Sequence, residues 1–434
     1  MHPVIRVLKA QKEGKKKGIY SCCSANELVL KAALLTGKKT DSYVLIESTA
    51  NQVNQYGGYT GMKPAEFAEY IGELADQIGL DRDKVILGGD HLGPLTFSMY
   101  EEERAMSEAS ELIRQYVSAG FTKIHVDTSM KVAGDDPDAR LADEVIIDRG
   151  IRLIRVAEDA YEQLKEKDPE AVHPVYVVGS EVPIPGGAQK VTEMEVTRPE
   201  DFARTVELYR QNLERENLGY VWPYICAIVV QPGLEERDEG CTEYDRNRAS
   251  ELMKALKQYD SLMFEGHSTD YQTKYKLREL VEDGVGILKV GPALTFAMRE
   301  AAFALTYAEK IAYRNDEDRQ SHFIEILEKV MKENPDNWKK HYRGTSEEIE
   351  YKLLYSFSDR CRYYLPNSEV QESFIRLKNS FAGGVPLSLL SQFMPRQYTR
   401  VREGLLENEP EALIIDRICD TINEYMYATR QQEL

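Results

Sequence analysis

No stretch of this 434-residue chain stays apolar for long. The longest such run lies near Ile225 to Val230, far short of the roughly 18 to 20 residues that span a bilayer. The basic, polar segment from Met1 to Lys17 also lacks the apolar stretch of a secretory signal. Neither a membrane span nor a signal peptide is expected. Cysteine is sparse: Cys22, Cys23, Cys226, Cys241, Cys361 and Cys419 form no CxxC pair and no dense framework, which predicts reduced thiols and a cytoplasmic location. Positive charge is in deficit. With 55 Lys and Arg against 73 Asp and Glu the net charge is −18, so the surface field repels polyanions, and neither nucleic acid nor an anionic membrane is an expected partner. No G-x-x-x-x-G-K-[ST] and no G-x-G-x-x-G follows an apolar run, which removes the phosphate cradles of P-loop kinases and of dinucleotide enzymes. No nucleotide cofactor is expected.

What is present is a folded composition: 42% hydrophobic, 29% charged and 9% aromatic residues. Eight short apolar, β-branched runs recur, at Ile19 to Ser24, Tyr43 to Ser48, Val85 to Asp90, Lys123 to Thr128, Val175 to Glu181, Cys226 to Gln231, Leu262 to His267 and Gly286 to Gly291. Each is almost continuously hydrophobic until its last positions, the pattern of a strand buried on both faces of a parallel sheet. Helical patterns lie between them. From Pro64 to Ile78, for example, Phe67, Ile71, Leu74, Ala75 and Ile78 share one face behind an initial proline. Eight βα units predict an α/β chain built as a (β/α)8 TIM barrel over residues 1–313. Beyond Arg314 the strand pattern stops, and helical stretches such as Phe323 to Lys332, Val370 to Phe381 and Glu411 to Tyr427 predict an α-helical C-terminal extension over 314–434.

In such a barrel the loops leaving the strands build the active face, so the residues closing each run are where chemistry is expected. They are Ser24, Glu47, Asp90 with His91, His125 with Asp127 and Ser129, Glu181, Gln231, Glu265 with His267 and Ser268, and Lys289. Two imidazoles with one or two carboxylates form a common set of donors for Zn²⁺, Mn²⁺ or a similar divalent ion. His91, displayed by the turn Gly88-Gly89-Asp90-His91-Leu92-Gly93-Pro94, and His267 are the candidate ligands. Glu47 and Glu181 end apolar strands and each needs a cation, a metal or a raised pKa; a structural salt bridge is the alternative. His125 and Asp127, two apart, point the same way on a strand. That direction is functional for Asp127, while His125 is either a substrate contact or a packing residue of the lumen. Lys289 is either a substrate contact or a lumen lysine paired to a strand carboxylate. Asn51 and Gln52 open an amide- and tyrosine-rich stretch to Tyr59, suited to hydrogen-bonding sugar hydroxyls.

Five segments, LIESTANQVNQYGGYTGM (45–62), ILGGDHLGP (86–94), IVVQPG (228–233), GHSTDYQ (266–272) and LKVGPALTF (288–296), together with SDRCRYYLP (358–366), resemble the family of the non-catalytic subunit of class II D-tagatose-1,6-bisphosphate aldolase. Some members of that family have been described as tagatose-6-phosphate kinases. The resemblance spans essentially the whole chain and implies a barrel similar to class II aldolases, which place an Asp-His pair after the third strand, a Glu after the fifth, and His ligands after the sixth and seventh. Asp90, His91, Glu181 and His267 match, but Gln231 stands in place of the sixth-strand histidine, so another ligand, Asp127 or Glu181, is required. Ser268, Thr269 and Asp270 replace the glycine-rich phosphate segment, and an aspartate there repels phosphate. That favours an unphosphorylated sugar.

The resemblance implies two functions. The first is a ketohexose 4-epimerase interconverting D-tagatose and D-fructose, or their phosphates, with Zn²⁺, Mn²⁺, Ni²⁺ or Co²⁺. Asp90 would be its acid/base, Glu181 or Asp127 a ligand or second base, and Ser24, Glu47, Asn51, Gln52, His125, Ser129, Gln231, Ser268, Asp270 and Lys289 the substrate contacts. The second is an accessory subunit that stabilises a separate class II aldolase chain. The expected partners are accordingly a small ketose and, in the second reading, that aldolase; self-association is left open.

Overall fold

A computed structural model of the chain describes residues 1–180 and 195–434. Each of the eight expected runs holds a strand: β1 (Ile19–Cys22), β2 (Val44–Thr49), β3 (Val85–Leu92), β4 (Lys123–Val126), β5 (Val175–Val178), β6 (Ile225–Val230), and, after a two-stranded hairpin of β7 (Glu235–Arg237) and β8 (Gly240–Thr242), β9 (Met263–Gly266) and β10 (Val285–Val290). All pair in parallel except the hairpin, and they close in the order β1-β10-β9-β6-β5-β4-β3-β2. This is the expected (β/α)8 barrel. The hairpin was not foreseen, because two three-residue strands with a Glu-Glu pair carry no hydrophobic signal.

The lumen is built in two levels by the two-residue period of the strands. At the lower level Ile19, Leu45, Ile86, Val175, Val177, Ala227, Met263 and Ile287 pack together, and the N-terminal helix Pro3–Lys12 closes that end with Val4, Val7 and Leu8. Two residues further along their strands stand Ser21, Glu47, Glu265 and Lys289, and on β4 the inward pair is Lys123 and His125. The register holds these neighbours side by side, Ser21 against Lys289 and Glu47 against Gly88. Gly88 has to be small, since a Cβ there would come 2.6 Å from Glu47 Cγ.

Helices ring the barrel. Pro64–Ile78 buries Phe67, Ile71, Leu74 and Ala75 as its pattern predicted, while Ile78 at its end is only partly buried. The C-terminal extension supplies the helices Phe323–Glu333, Ser368–Ser380 and Pro410–Thr429. The last of these is stitched to the barrel itself. Gly18 N donates to Thr429 O at 2.8 Å, Tyr20 N to Gln431 Oε1 at 3.0 Å, and Tyr425 Oη to Thr269 O at 2.9 Å. All six cysteines are free. No helix among the described residues is long and apolar enough to cross a membrane.

Candidate metal centre and cavity

Above the apolar level, buried charge replaces hydrocarbon. Lys123 Nζ lies 2.8 Å from Glu47 Oε1 and 2.6 Å from Glu265 Oε2; Lys289 Nζ lies 3.0 Å from Glu47 Oε2 and also contacts Asp90. Ser21 Oγ donates to Glu47 at 2.7 Å. Burial alone would push the Asp90 and Glu265 carboxyls up, but the cations and imidazoles around them outweigh it and hold both well below the ordinary range. The same carboxylates keep Lys289 and Lys123 charged against the cost of desolvation.

Three imidazoles stand on this platform in a near-equilateral triangle. The ring centroids of His91, His125 and His267 are 5.0, 5.0 and 5.1 Å apart. Each ring spends one nitrogen on a carboxylate: His91 Nδ1 on Asp127 Oδ2 at 2.7 Å, His125 Nδ1 on Asp90 Oδ1 at 2.8 Å, and His267 Nε2 on Glu265 Oε1 at 2.9 Å. At His91 and His267 the carboxylate assigns the proton to the nitrogen it faces and leaves the other as a lone pair, whereas His125 Nδ1 also accepts from His91 N at 3.2 Å. Nε2 of His125 is buried and has no hydrogen-bond partner among the described residues. One donor atom from each of Asp90, His91, His125 and His267 lies within 4.8 Å of all the others. Four buried carboxylates (Glu47, Asp90, Asp127, Glu265) face two buried ammonium groups (Lys123, Lys289), leaving two negative charges beside the imidazoles. Burial lowers the pKa of His267 to about 3 and also lowers that of His125, so both are neutral donors; at His91 burial is overcome by Asp90 and Asp127, which raise it. Nitrogen donors, an excess of negative charge and an orphaned ring nitrogen together fit a divalent cation of the zinc or manganese type.

The turns presenting this group are backbone-strained. His91 and Ser268 both take left-handed conformations, with φ of 49° and 54°, a region that non-glycine residues enter rarely and that clusters at functional sites. Gly93 permits the β3 turn, because a Cβ there would lie 1.7 Å from Asp127 O.

A cavity of about 390 Å³ opens over the group. Asp90, His91, His267 and Lys289 form its floor, and Ser24, Asn51, Gln52, Ser268 and Asp270 its walls. Of these, Ser24 Oγ accepts from Asn26 N, and Gln52 Oε1 from Thr49 N at 2.8 Å. Asp270 Oδ1 accepts from Gly291 N and Ala293 N, at 3.0 and 2.8 Å, at the start of the helix Pro292–Ala312. Burial and Glu236 raise its pKa to about 7.

Other expected substrate contacts lie elsewhere. Glu47 is fully buried beneath the floor and neutralised by its lysines, the salt-bridge alternative. Gln231 folds its Oε1 onto Gly233 N and Leu234 N, at 2.8 and 3.0 Å, and holds its own turn. Ser129 Oγ donates to Asp127 Oδ1 at 2.7 Å. His125, expected as a substrate contact or a packing residue, joins the imidazole triangle. Asp127, expected as a base or ligand, is taken up by His91 and Ser129. Glu181 lies outside the described residues. Sequence reasoning missed Glu236 on the hairpin and Arg362 and Tyr363 in the extension, which all line the cavity. Only SDRCRYYLP, quoted for its resemblance, marked the last two.

A family model of the D-tagatose-1,6-bisphosphate aldolase subunit GatZ/KbaZ-like type matches residues 4–430. The chain belongs to this GatZ/KbaZ-like family. A probable tagatose 6 phosphate kinase from Sinorhizobium meliloti 1021 is 41% identical over 95% of this chain and 100% of its own, with a TM-score of 0.86. The YdjI aldolase from Escherichia coli K12 is 13% identical, covering 83% of this chain and 95% of its own, with a TM-score of 0.41. Fructose-bisphosphate aldolase from Campylobacter jejuni is 14% identical, covering 87% and 91%, with a TM-score of 0.44. Likenesses as distant as these two carry no argument about activity. In this GatZ/KbaZ-like chain the third imidazole comes from β4, as His125, and not from the end of β6, where Gln231 stands.

Proposed function

We propose that this chain is a metal-dependent ketohexose 4-epimerase, interconverting D-tagatose and D-fructose or their phosphates by breaking and re-forming C3–C4. One observation carries the reading: three imidazoles, each hydrogen-bonded to its own carboxylate, bring one donor atom apiece within 4.8 Å of one another and of an Asp90 oxygen, and Asp90, His91 and His267 line a sugar-sized cavity. The hydrogen on C4 is β to the C2 carbonyl and not appreciably acidic, so inversion without a redox cofactor requires retro-aldol cleavage. A divalent ion such as Zn²⁺, Mn²⁺, Ni²⁺ or Co²⁺ held by His91, His125 and His267 would supply Lewis acidity to a ketose carbonyl. The chain's own groups do the rest. Asp90, kept ionised by Lys289 and the imidazoles, takes the proton from O4. Asp127 orients His91, and Lys289 and Lys123 hold the floor's charge in place. Asn51, Gln52 and Ser268 offer hydrogen bonds to hydroxyls. Re-addition to the opposite face of the aldehyde inverts C4.

The test is to strip the protein with chelator, restore each metal in turn, and follow fructose, tagatose and their 6-phosphates by chromatography. Metal-dependent interconversion lost in His91→Ala and Asp90→Asn is the expected result; no turnover of any of these sugars with any metal overturns the reading. The family description favours a second reading, a subunit required by a class II aldolase chain. Capture of such a chain, with restoration of its aldolase activity and no turnover by this protein alone, would establish it.

A further inference from the structure

We infer that Glu236 is a second acid/base group of this site, carrying the O4 proton on the side of the cavity away from Asp90. The inference rests on the epimerase reading. Glu236 sits on β7, only 5% exposed, and lines the same cavity as Asp90 and His267. Ser268 hydrogen-bonds its carboxyl, yet Oε2 is buried without any hydrogen-bond partner among the described residues. A buried carboxylate oxygen left unpaired is costly; Glu265 Oε2 also lacks a hydrogen bond among the described residues but has Lys123 Nζ at 2.6 Å, whereas Glu236 Oε2 has no such cation beside it among them. Its position is also informative. In the closed order of strands, β9, which precedes Ser268, stands four places from β3, which carries Asp90, so Asp90 and the Ser268 that holds Glu236 are anchored on opposite strands of the ring. Asp270 and Arg362 are the charged neighbours that face Glu236. The raised pKa of Glu236, caused by burial, accords with a group that holds a proton.

Epimerisation gives such a group a task. Cleavage breaks C3–C4, sends its electron pair into the enediolate of C1 to C3, and transfers the O4 proton to one base as C4 becomes an aldehyde. After the aldehyde turns over, C3 attacks its other face, C3–C4 re-forms, and O4 emerges pointing the opposite way. The proton it then needs comes from the second carboxyl. No electrons are gained or lost, and the proton left on the first carboxyl returns to the second through solvent between turnovers. Two carboxyls on opposite sides therefore serve the two epimers separately.

The experiment compares wild type, Glu236→Gln and Glu236→Asp, all metal-loaded, with circular dichroism and metal content verifying each fold. Each ketose is supplied alone, and the three-carbon aldehyde is trapped with hydrazine while interconversion is followed. Wild type is expected to release trappable aldehyde from both epimers. Glu236→Gln should release it from one epimer only and lose interconversion by about a hundredfold or more, with KM for the surviving epimer unchanged; Glu236→Asp should restore part of the loss. Equal activity of Glu236→Gln and wild type overturns the role of Glu236 alone, as does equal loss for both epimers. Failure of wild type to interconvert either sugar overturns the epimerase reading and this inference with it. If Glu236→Gln does not fold, Glu236→Asp decides: an asymmetric fall in the two cleavage rates supports the role, and unchanged rates refute it.

Discussion

The two levels of the lumen are made by the same strands a few residues apart, yet they obey opposite rules. Below, hydrocarbon from the strands and the helix Pro3–Lys12 packs without a charge; above, four carboxylates, two lysines and three imidazoles are buried together. Burying apolar area stabilises by about 25 cal/mol per Å², whereas burying an ion pair is often no better than neutral compared with a hydrophobic replacement. The lower level holds the barrel shut. The upper level adds little to that and fixes the position of nitrogen and oxygen donors instead. A barrel that needed only stability would be filled in the same way at both levels.

The contrast can be broken most forcefully from above. Lys123→Met leaves Glu47 and Glu265 with Lys289 as their one remaining cation and is expected to cost about 3–5 kcal/mol, with loss of metal binding. Leu45→Ala at the lower level should cost a similar about 2–5 kcal/mol in denaturant unfolding but leave metal affinity, read by calorimetry, intact. If both variants lost metal equally, the division into levels would be wrong. Asp127→Asn sharpens the comparison further. It leaves the lumen filled but removes the carboxylate that orients His91, so metal affinity should fall about 10- to 100-fold with little change in the unfolding midpoint. The smallest effect concerns Asp270. Its pKa, raised from 3.8 to about 7 by burial and Glu236, means that the folded state favours the protonated carboxyl. The stability this lends is complete below pH 4 and is lost as pH rises to 7. Asp270→Asn keeps an acceptor for Gly291 N and Ala293 N, and should gain on wild type over that interval and hold the gain above it, as followed by thermal unfolding at fixed ionic strength.

Much of this was readable from the chain, for reasons that differ by region. The strands announced themselves because burial on both faces makes them continuously apolar, and Asp90, His91 and His267 stood out because polar residues end those runs. The role of His125 was not readable. Its spacing from Asp127 says that both share a face, but only closure of the barrel places its ring between His91 and His267. Glu47 left two alternatives because the lysines that neutralise it come from β4 and β10, 76 and 242 residues away. Glu236 and Arg362 carry no local signal, since what makes them cavity residues is the approach of the hairpin and the extension to strand ends elsewhere in the sequence. The helix Pro3–Lys12 was missed because it is only ten residues long and its inward Val4, Val7 and Leu8 alternate with Arg6 and Lys9 in a segment that is basic overall.

The helix Pro410–Thr429 and the turn after it hold the first two strands through Gly18, Tyr20 and Tyr43. Tyr20 therefore meets its partner 411 residues later in the chain. On a ribosome making about 5–20 residues per second, that is a wait of roughly 20 to 80 seconds. Over that interval the opening strand is finished as a sequence but not as a structure, with its backbone N–H groups and apolar flank uncovered. Such long-range closure folds slowly and leaves the opening strand exposed to aggregation while it waits.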